Sequence, residues 1–288
     1  MTIRPARFTS SANRPQAKSD PWHSAPLPPR SFALFVAVAA LAGCGVADNM
    51  VKRADAQTTG TAPIQWDLKN AKVIDLSHVQ ETAMPADPSL KTPVLTYFAR
   101  VGQGSGAFWN LENITYTPHT GTHMDTPFHV NNNWGAAETV DPTFMIGPAS
   151  VIAIPAVAGH AITAAEIKAW EAANGPIQEG DGILLHTGFD ANWPNMQTYI
   201  ANGYPTLAKD AAEYLVSKKA RYVGLETISP DGPNTDTHRI LLGNNVLILE
   251  NLTGIGKIGK SRCWTLGTFP NIKGASGVYI RLLAVVNK

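Results

Sequence analysis

Residues 119–129 read His-Thr-Gly-Thr-His-Met-Asp-Thr-Pro-Phe-His and hold three of the eight histidines of this 288-residue chain. The glycine and the proline argue against a continuous helix, so the run is predicted to form an extended or turning loop. In an extended stretch, residues two apart share a side, which would aim His123 and Asp125 at one point. Gly121 would let the backbone fold His119 back toward them.

Neutral imidazole and carboxylate groups are ligands that zinc and manganese accept. Catalytic metal sites use about three protein ligands, so that water keeps one position. The alternative is a polar loop whose histidines only hydrogen-bond to their neighbours. Three imidazoles and an aspartate at ligand spacing favour the metal site, and the run is typical of a metal-dependent hydrolase.

The same run decides the fold, because it resembles the signature of the bacterial cyclase-type metal hydrolases, the family of kynurenine formamidase and isatin hydrolase. The family pattern is His, any, Gly, any, His, any, Asp, with a further His four residues on. The resemblance implies that His119, His123 and Asp125 are metal ligands. It also implies that His129 is the histidine that transfers protons.

A second block resembles the formamidases, in which a His and a Glu twelve positions apart complete a second metal site. Here His238 stands twelve positions before Glu250. Taken without the resemblance, the two residues could be a core histidine and a surface charge at a strand end. The resemblance implies one or two divalent ions per subunit, zinc or manganese, with Asp125 able to bridge them.

The family fold implied is α/β: a compact, barrel-like single domain of the swivelling β/β/α type with a strand-rich core, assembled as a homo-oligomer. Apolar or β-branched runs bounded by Gly, Pro, Asn or Asp predict strands. They cover residues 73–76, 94–98, 114–117, 151–154, 183–186, 222–225, 246–249 and 278–286.

Three helices are predicted. Thr163 and Glu166 form a capping box for a helix that ends at Asn174. A second helix would place four side chains on one face, namely Leu207, Ala211, Tyr214 and Leu215. A short third helix, residues 237–242, would carry His238.

The first part of the chain predicts export from a bacterial cytoplasm. Residues 1–30 carry five basic residues and one acid, and the apolar run that follows is too short to span a bilayer. The run ends in Leu-Ala-Gly-Cys, which resembles the lipobox in which the cysteine, here Cys44, is lipidated. We therefore predict a signal sequence over 1–43, a flexible tether over 44–63 and a hydrolase domain over 64–288, in a periplasmic lipoprotein. A plain cleaved signal peptide and an unprocessed anchor are the alternatives.

The charge distribution excludes a nucleic-acid-binding protein. The chain has 23 basic and 22 acidic residues, and no basic run interleaved with aromatic residues follows the leader. Membrane contact is expected only through the lipid anchor. If Cys44 is lipidated, Cys263 is the one remaining thiol, which predicts no disulfide and an ordinary core residue.

We predict hydrolysis of a carbon–nitrogen bond in a small cyclic or aryl amide, arylformamide or isatin-like, by a metal-bound hydroxide. His129 would move the proton. Lactone, ester or carbamate hydrolysis on the same site is an alternative, as are a metal-binding lipoprotein and a non-catalytic family member. A pure chelator has no need of a histidine outside the ligand set, and the motifs of this chain are intact.

The sequence indicates fewer residues for substrate binding than for metal binding. The formamidases carry a tryptophan near the N-terminus that stacks on the aryl substrate, and Met84 stands at that place here. This difference argues against kynurenine formamidase proper, as does secretion. Phe108 and Trp109, shortly before the metal motif, could supply an aromatic wall or belong to the core.

Overall fold

A computed structural model describes residues 69–104, 106–232 and 236–288. The predicted signal sequence and tether lie outside the described residues, so their boundaries remain predictions. Within the described ranges, no helix combines the length and the apolar character needed to cross a membrane.

The described residues form a mixed α/β fold. Its strands are β1 (Ala71–Asp75), β2 (Val94–Ala99), β3 (Leu111–Thr115), β4 (His123–Asp125), β5 (Gly147–Ala153), β6 (Ala161–Ile162), β7 (Gly182–His186), β8 (Thr206–Leu207), β9 (Tyr222–Leu225), β10 (Leu247–Glu250), β11 (Arg262–Thr268), β12 (Gly277–Tyr279) and β13 (Arg281–Asn287). Its helices are α1 (Ala164–Asn174), α2 (Lys209–Ser217) and α3 (Thr237–Gly243).

Nine strands form one sheet in the order β1-β13-β11-β5-β7-β9-β10-β4-β12. The central strands β5, β7, β9 and β10 are parallel, and the flanking strands pair antiparallel. Strand β12 lies at one end of this order and β13 lies next to the other end, yet only Ile280 separates them in the chain. The sheet must therefore curl until its two ends approach each other, which confirms the predicted barrel-like α/β fold.

Side chains of the central strands alternate between two cores. Ile183 and Leu185 pack on the helix side together with Ile167 of α1 and Leu215 of α2. Leu184, between them, packs on the inner side with residues such as Met124 of β4. Strands covered on both faces in this way are typical of the parallel part of an α/β sheet.

The helices largely follow the sequence. The capping box that begins α1 is present, because Thr163 Oγ1 accepts from Glu166 N while Glu166 Oε2 accepts from Thr163 N. Helix α3 lies where it was predicted. The second helix was placed too early: it begins at Lys209, and Leu207 belongs to the short strand β8, which pairs with β6.

One strand prediction was wrong, and one long strand was not predicted. The predicted strand 278–286 is two strands, because the chain leaves β12 at one sheet end and enters β13 near the other. Strand β11 was missed, since its buried positions include a threonine and a glycine rather than an apolar run. Cys263 in β11 is buried, and burial raises the pKa of its thiol to about 12, as suits a core residue.

Candidate metal centre

The centre of the predicted metal motif is a strand rather than a loop, which corrects the sequence analysis. Strand β4 pairs with β10 on one side and β12 on the other, and His123 lies directly opposite Glu250. Residues opposite each other on paired strands share a face, as do residues two apart on one strand. His123 Nε2 accordingly lies 3.3 Å from Asp125 Oδ1 and 3.4 Å from Glu250 Oε2.

The predicted turn before β4 is confirmed. Gly121 has φ +58°, a conformation that favours glycine. A Cβ there would lie 2.1 Å from the end of the Gln80 side chain, which would have to move. The turn brings His119 Nδ1 to 2.7 Å from Asp125 Oδ1. The other ring nitrogen of His119 lies 2.8 Å from Ser276 Oγ.

Helix α3 places His238 beside the same two carboxylates, Asp125 and Glu250. His238 Nε2 lies 3.4 Å from Asp125 Oδ2 and 3.4 Å from Glu250 Oε1. Its other ring nitrogen, Nδ1, lies 2.7 Å from Asp231 Oδ2. The structure thus brings together the five proposed ligands.

Asp231 and Asn251 were missed by the sequence analysis. The Asn251 side chain donates to Gly121 O and accepts from Tyr199 Oη, so it holds the turn before β4. Asn251 directly follows Glu250, and Asp231 lies in a Ser-Pro-Asp-Gly turn seven residues before His238. A polar turn just before a ligand-bearing helix was the available signal for Asp231.

Buried polar atoms in the cluster fit a cation. Within the described part of the chain, His123 Nε2 and Glu250 Oε1 are buried and have no hydrogen-bond partner. A buried polar group without a partner costs about 1–3 kcal/mol, which a bound cation would offset. His123 Nδ1 lies 2.8 Å from Gly121 O, an arrangement in which Nδ1 carries the proton and Nε2 presents its lone pair.

The ligand atoms form two groups that share Asp125. One group contains His119, Asp125 and His129, and the other contains His123, Asp125 and Glu250; within each group the ligand atoms lie within 4.8 Å of one another. Imidazole and carboxylate are the donor set of zinc and manganese sites. The residues therefore fit one divalent ion or two with a shared carboxylate.

Electrostatics favour positive charge at this place. Burial would lower the pKa of His123, but the Asp125 and Glu250 carboxylates outweigh it and raise the pKa to about 9. Burial is likewise outweighed at His238, where the nearby carboxylates of Asp125, Asp231 and Glu250 raise the pKa to about 12. Burial and the Asp125 charge raise the pKa of Glu250. The carboxylates that raise these pKa values would also attract a bound cation.

His129 stands at the edge of the cluster. Its ring stacks on His119 with centroids 4.0 Å apart and lies 5.4 Å from the ring of His238. Desolvation, helped by the neighbouring imidazoles, lowers the pKa of His129 to about 4, although part of the residue is exposed. The imidazole is therefore neutral at neutral pH.

Of the three residues considered for substrate contact, Met84 lies in one cluster, whereas Phe108 and Trp109 contact each other. Met84 is buried in a small cluster with Phe189, Trp193 and Tyr199. Phe108 and Trp109 are 80% and 52% exposed, so they are not core residues.

Two residues, His78 and Asn251, connect the cluster around Met84 to the turn before β4. His78 stacks on Trp193 with ring centroids 3.9 Å apart and donates its backbone N–H to Thr122 Oγ1. Tyr199 donates to Asn251, which in turn holds Gly121 O. An aromatic cluster is thereby fixed to the segment that carries the ligands.

Comparison with known proteins places these residues in a family context. The profile of a family described as putative cyclases matches residues 74–232, more than half of the chain. The matched range contains the run 119–129 and ends before His238 and Glu250.

Two characterised relatives are similar over most of their length. An isatin hydrolase of Roseibium aggregatum is 27% identical over 226 residues, which are 71% of this chain and 86% of that protein. A kynurenine formamidase of Geobacillus thermodenitrificans is 29% identical over 182 residues, covering 62% of this chain and 81% of that protein.

Solved structures share the fold. Isatin hydrolase A from Ralstonia solanacearum superposes with a TM-score of 0.70 at 23% identity, over 80% of this chain and 100% of that chain. An isatin hydrolase bound to the product analogue thioisatinate gives a TM-score of 0.71 at 25% identity, over 77% of this chain and 94% of that chain.

Proposed function

The chain belongs to the putative cyclase family and is a metal-dependent hydrolase, and from that premise we propose that it cleaves the carbon–nitrogen bond of a small cyclic or aryl amide. The observation that carries the proposal is that, among the described residues, His123 Nε2 and Glu250 Oε1 are buried without a hydrogen-bond partner, while His123 Nε2 lies 3.3 Å from Asp125 and 3.4 Å from Glu250. A bound cation would offset the cost of leaving these buried atoms without a partner.

Following the family pattern, we assign His119, His123 and Asp125 to one ion. The geometric grouping differs, since it sets His123 with Glu250 and His119 with His129. His238 and Glu250 would hold a second ion together with Asp125. The ion is zinc or manganese, which accept this mixture of imidazole and carboxylate. When bound, such an ion polarises a carbonyl and lowers the pKa of water from 15.7 to about 7.

His129 is proposed as the group that moves the proton. Its ring is neutral at neutral pH and reaches the ligand cluster from its exposed edge. A neutral imidazole can accept a proton from water and return it to the leaving nitrogen of the amide. Because His129 also lies within ligand distance of His119 and Asp125, its metal-binding and proton-transfer roles are separated by experiment below.

The substrate class rests on the relatives and on the aromatic cluster. The similar proteins are named for isatin and kynurenine formamide hydrolysis. Contacts through His78 and Asn251 connect Trp193 and Tyr199 to the turn before β4. We propose that Met84, in the same cluster, contacts the ring of an aryl or cyclic amide.

The location of the enzyme is a separate proposal. The Leu-Ala-Gly-Cys sequence ending at Cys44 supports lipidation of that cysteine. Together with the basic leader before it, this sequence supports export to a bacterial periplasm. Cys44→Ser should move the protein from the membrane fraction to the soluble fraction and remove the lipid detected by mass spectrometry. Wild-type protein with a mature N-terminus away from Cys44 and no lipid would refute it.

Metal analysis and a substrate screen test the enzymatic proposal. The purified protein is analysed for metals and is then assayed on cyclic amides, aryl formamides and lactones, with the metal removed and restored. The proposal expects amide turnover that disappears on chelation and returns with zinc or manganese. Turnover of lactones alone, or amide turnover that survives complete metal removal, would contradict it.

A further inference from the structure

Three strands at one end of the main sheet have an outer face that no described helix covers. Helices α1, α2 and α3 pack on β5, β7, β9 and β10 in one hydrophobic core. Among the described residues, that core contains none from β1, β11 or β13. These three strands lie side by side in the order β1-β13-β11. Their outer face therefore differs from that of the central strands, which the helices cover.

The side chains on this outer face follow from the strand pairing. Ile74 of β1 and Ala284 of β13 belong to the inner core, so their neighbours Val73 and Val285 point outward. Val73 lies opposite Val285, and Trp264 of β11 lies opposite Val285 on its other side. A row of three apolar residues therefore crosses the outer face of the three strands.

The burial of this face is uneven. Val285 is 2% exposed although, within the described structure, it belongs to neither main core. Side chains outside both cores must therefore cover it. Val73 is 48% exposed and Leu266, in the next row on β11, is 40% exposed. The face is thus covered at its middle and open at its sides.

The outer face continues into an apolar groove. Leu266 lies opposite Leu283, and both line a cavity of about 470 Å³ that Val140 and Ile146 also line. The side chain of Ile146 is 39% exposed. The groove therefore has room for a further apolar side chain.

The sequence that leads into the described domain has a matching pattern. Ile64, Trp66 and Leu68 alternate with Gln65 and Asp67. In an extended chain, this alternation puts the three apolar side chains on one side and the two polar ones on the other. Residues 64–68, called the docking segment from here on, can therefore present one apolar side to a surface.

The docking segment ends close to this face. The described residues begin at Lys69, two residues before β1, and β1 is an end strand that carries Val73. Trp66 lies three residues before Lys69, which is about 10 Å of extended chain at roughly 3.3 Å per residue. The two strand spacings from β1 to β11 also span about 10 Å. Trp66 can therefore reach the middle of the outer face.

We propose that the docking segment packs on the outer face of β1, β13 and β11, with Trp66 over Val285 and Ile64 at the groove. A tryptophan side chain buries about 150–250 Å², and exposed apolar patches mark interaction sites. A short covalent connection gives an effective concentration in the millimolar range. The docking segment therefore occupies the face in preference to a second copy or a lipid surface.

Photo-cross-linking in the full-length protein tests the position of the docking segment. Replacement of Trp66 by p-benzoylphenylalanine keeps an aromatic side chain there. Irradiation should link it, within one chain, to peptides that contain residues 262–268 or 281–287. Replacement of Gln65 by the same residue is the matched control and should give far less of this product, because that side chain points away from the face. Cross-links between two chains or to lipid would overturn the proposal, as would equal yields from both positions.

A melting experiment keeps the test decisive if the cross-linking residue prevents folding. Trp66→Ser removes the apolar side chain and should lower the melting temperature of the full-length protein by roughly 5 °C. Gln65→Ser, on the other side of the docking segment, should leave the melting temperature unchanged. Equal melting temperatures for the wild type and Trp66→Ser would overturn the proposal.

Discussion

Asp231 accepts a hydrogen bond from His238 at 2.7 Å, between Oδ2 of the carboxylate and Nδ1 of the ring. The other oxygen of Asp231 accepts from the backbone N–H of Thr237 at 2.6 Å, at the first turn of α3. One carboxylate therefore fixes both the start of the helix and the orientation of the imidazole that it carries. With Nδ1 protonated, His238 turns its Nε2 lone pair toward Asp125 and Glu250.

Asp231→Ala should weaken metal binding although Asp231 is not a ligand. Loss of a carboxylate that orients a ligating histidine typically costs about 10–100-fold in metal affinity or activity. Competition with a chelator measures the affinity, and Asp236→Ala is the control, since Asp236 is exposed and pairs with Arg239 on the same helix. Equal affinities in the wild type and Asp231→Ala would show that His238 is not a metal ligand.

The sequence predicted the ligands of residues 119–125 more fully than the pair His238 and Glu250. The spacing of His119, His123 and Asp125 was sufficient because all three lie on one turn and one strand, where local geometry decides direction. The pairing of β4 with β10 could not be predicted, since a strand of three residues has too little pattern and its partner lies more than a hundred residues away. Asp231 was missed for a different reason, since its contact with His238 is local but its Ser-Pro-Asp-Gly segment reads as an ordinary polar turn.

His238→Ala and Glu250→Ala should each lower the metal content toward one ion per subunit if the wild type binds two. The physical reason is that His238 of α3 lies 3.4 Å from Asp125 and that Glu250 of β10 lies 3.4 Å from His238. Elemental analysis of the purified variants measures the stoichiometry. Full metal content together with full activity in both variants would mean that the second pair binds no metal.

His186 should stabilise the fold more at low pH than at high pH. A hydrogen bond to the buried Glu226 carboxylate, 2.8 Å away, raises the pKa of His186. The stabilisation is therefore fully present below the usual pKa of about 6.5 and is lost as the pH rises through the raised value.

The difference in melting temperature between the wild type and His186→Gln measures that contribution. It should shrink from pH 5.5 or so toward about pH 9. His160→Gln, at the more exposed pair with Glu166, is the control. A difference that grows with pH would be opposite in sign and would contradict the assignment.

His129→Ala should keep its metal and lose turnover. General acid–base catalysis contributes about 10²–10⁴-fold, so kcat should fall by that factor while metal content and fold are unchanged. The wild type should also lose activity on the acid side of its pH profile, because the imidazole ligands, the carboxylate ligands and the base must all be deprotonated to act. Metal lost in proportion to activity would identify His129 as a ligand, and full turnover would exclude it from the reaction.

The proposed metal centre depends most directly on Asp125, which lies 2.7 Å from His119 and 3.4 Å from His238 and belongs to both ligand groups. The decisive measurement is metal content and amide turnover on one preparation of Asp125→Ala, with the exposed Asp141→Ala as control. We predict that Asp125→Ala, folded by near-ultraviolet circular dichroism, loses both its activity and most of its metal, while Asp141→Ala keeps both. Unchanged metal content and turnover in Asp125→Ala would contradict a catalytic metal centre at this place.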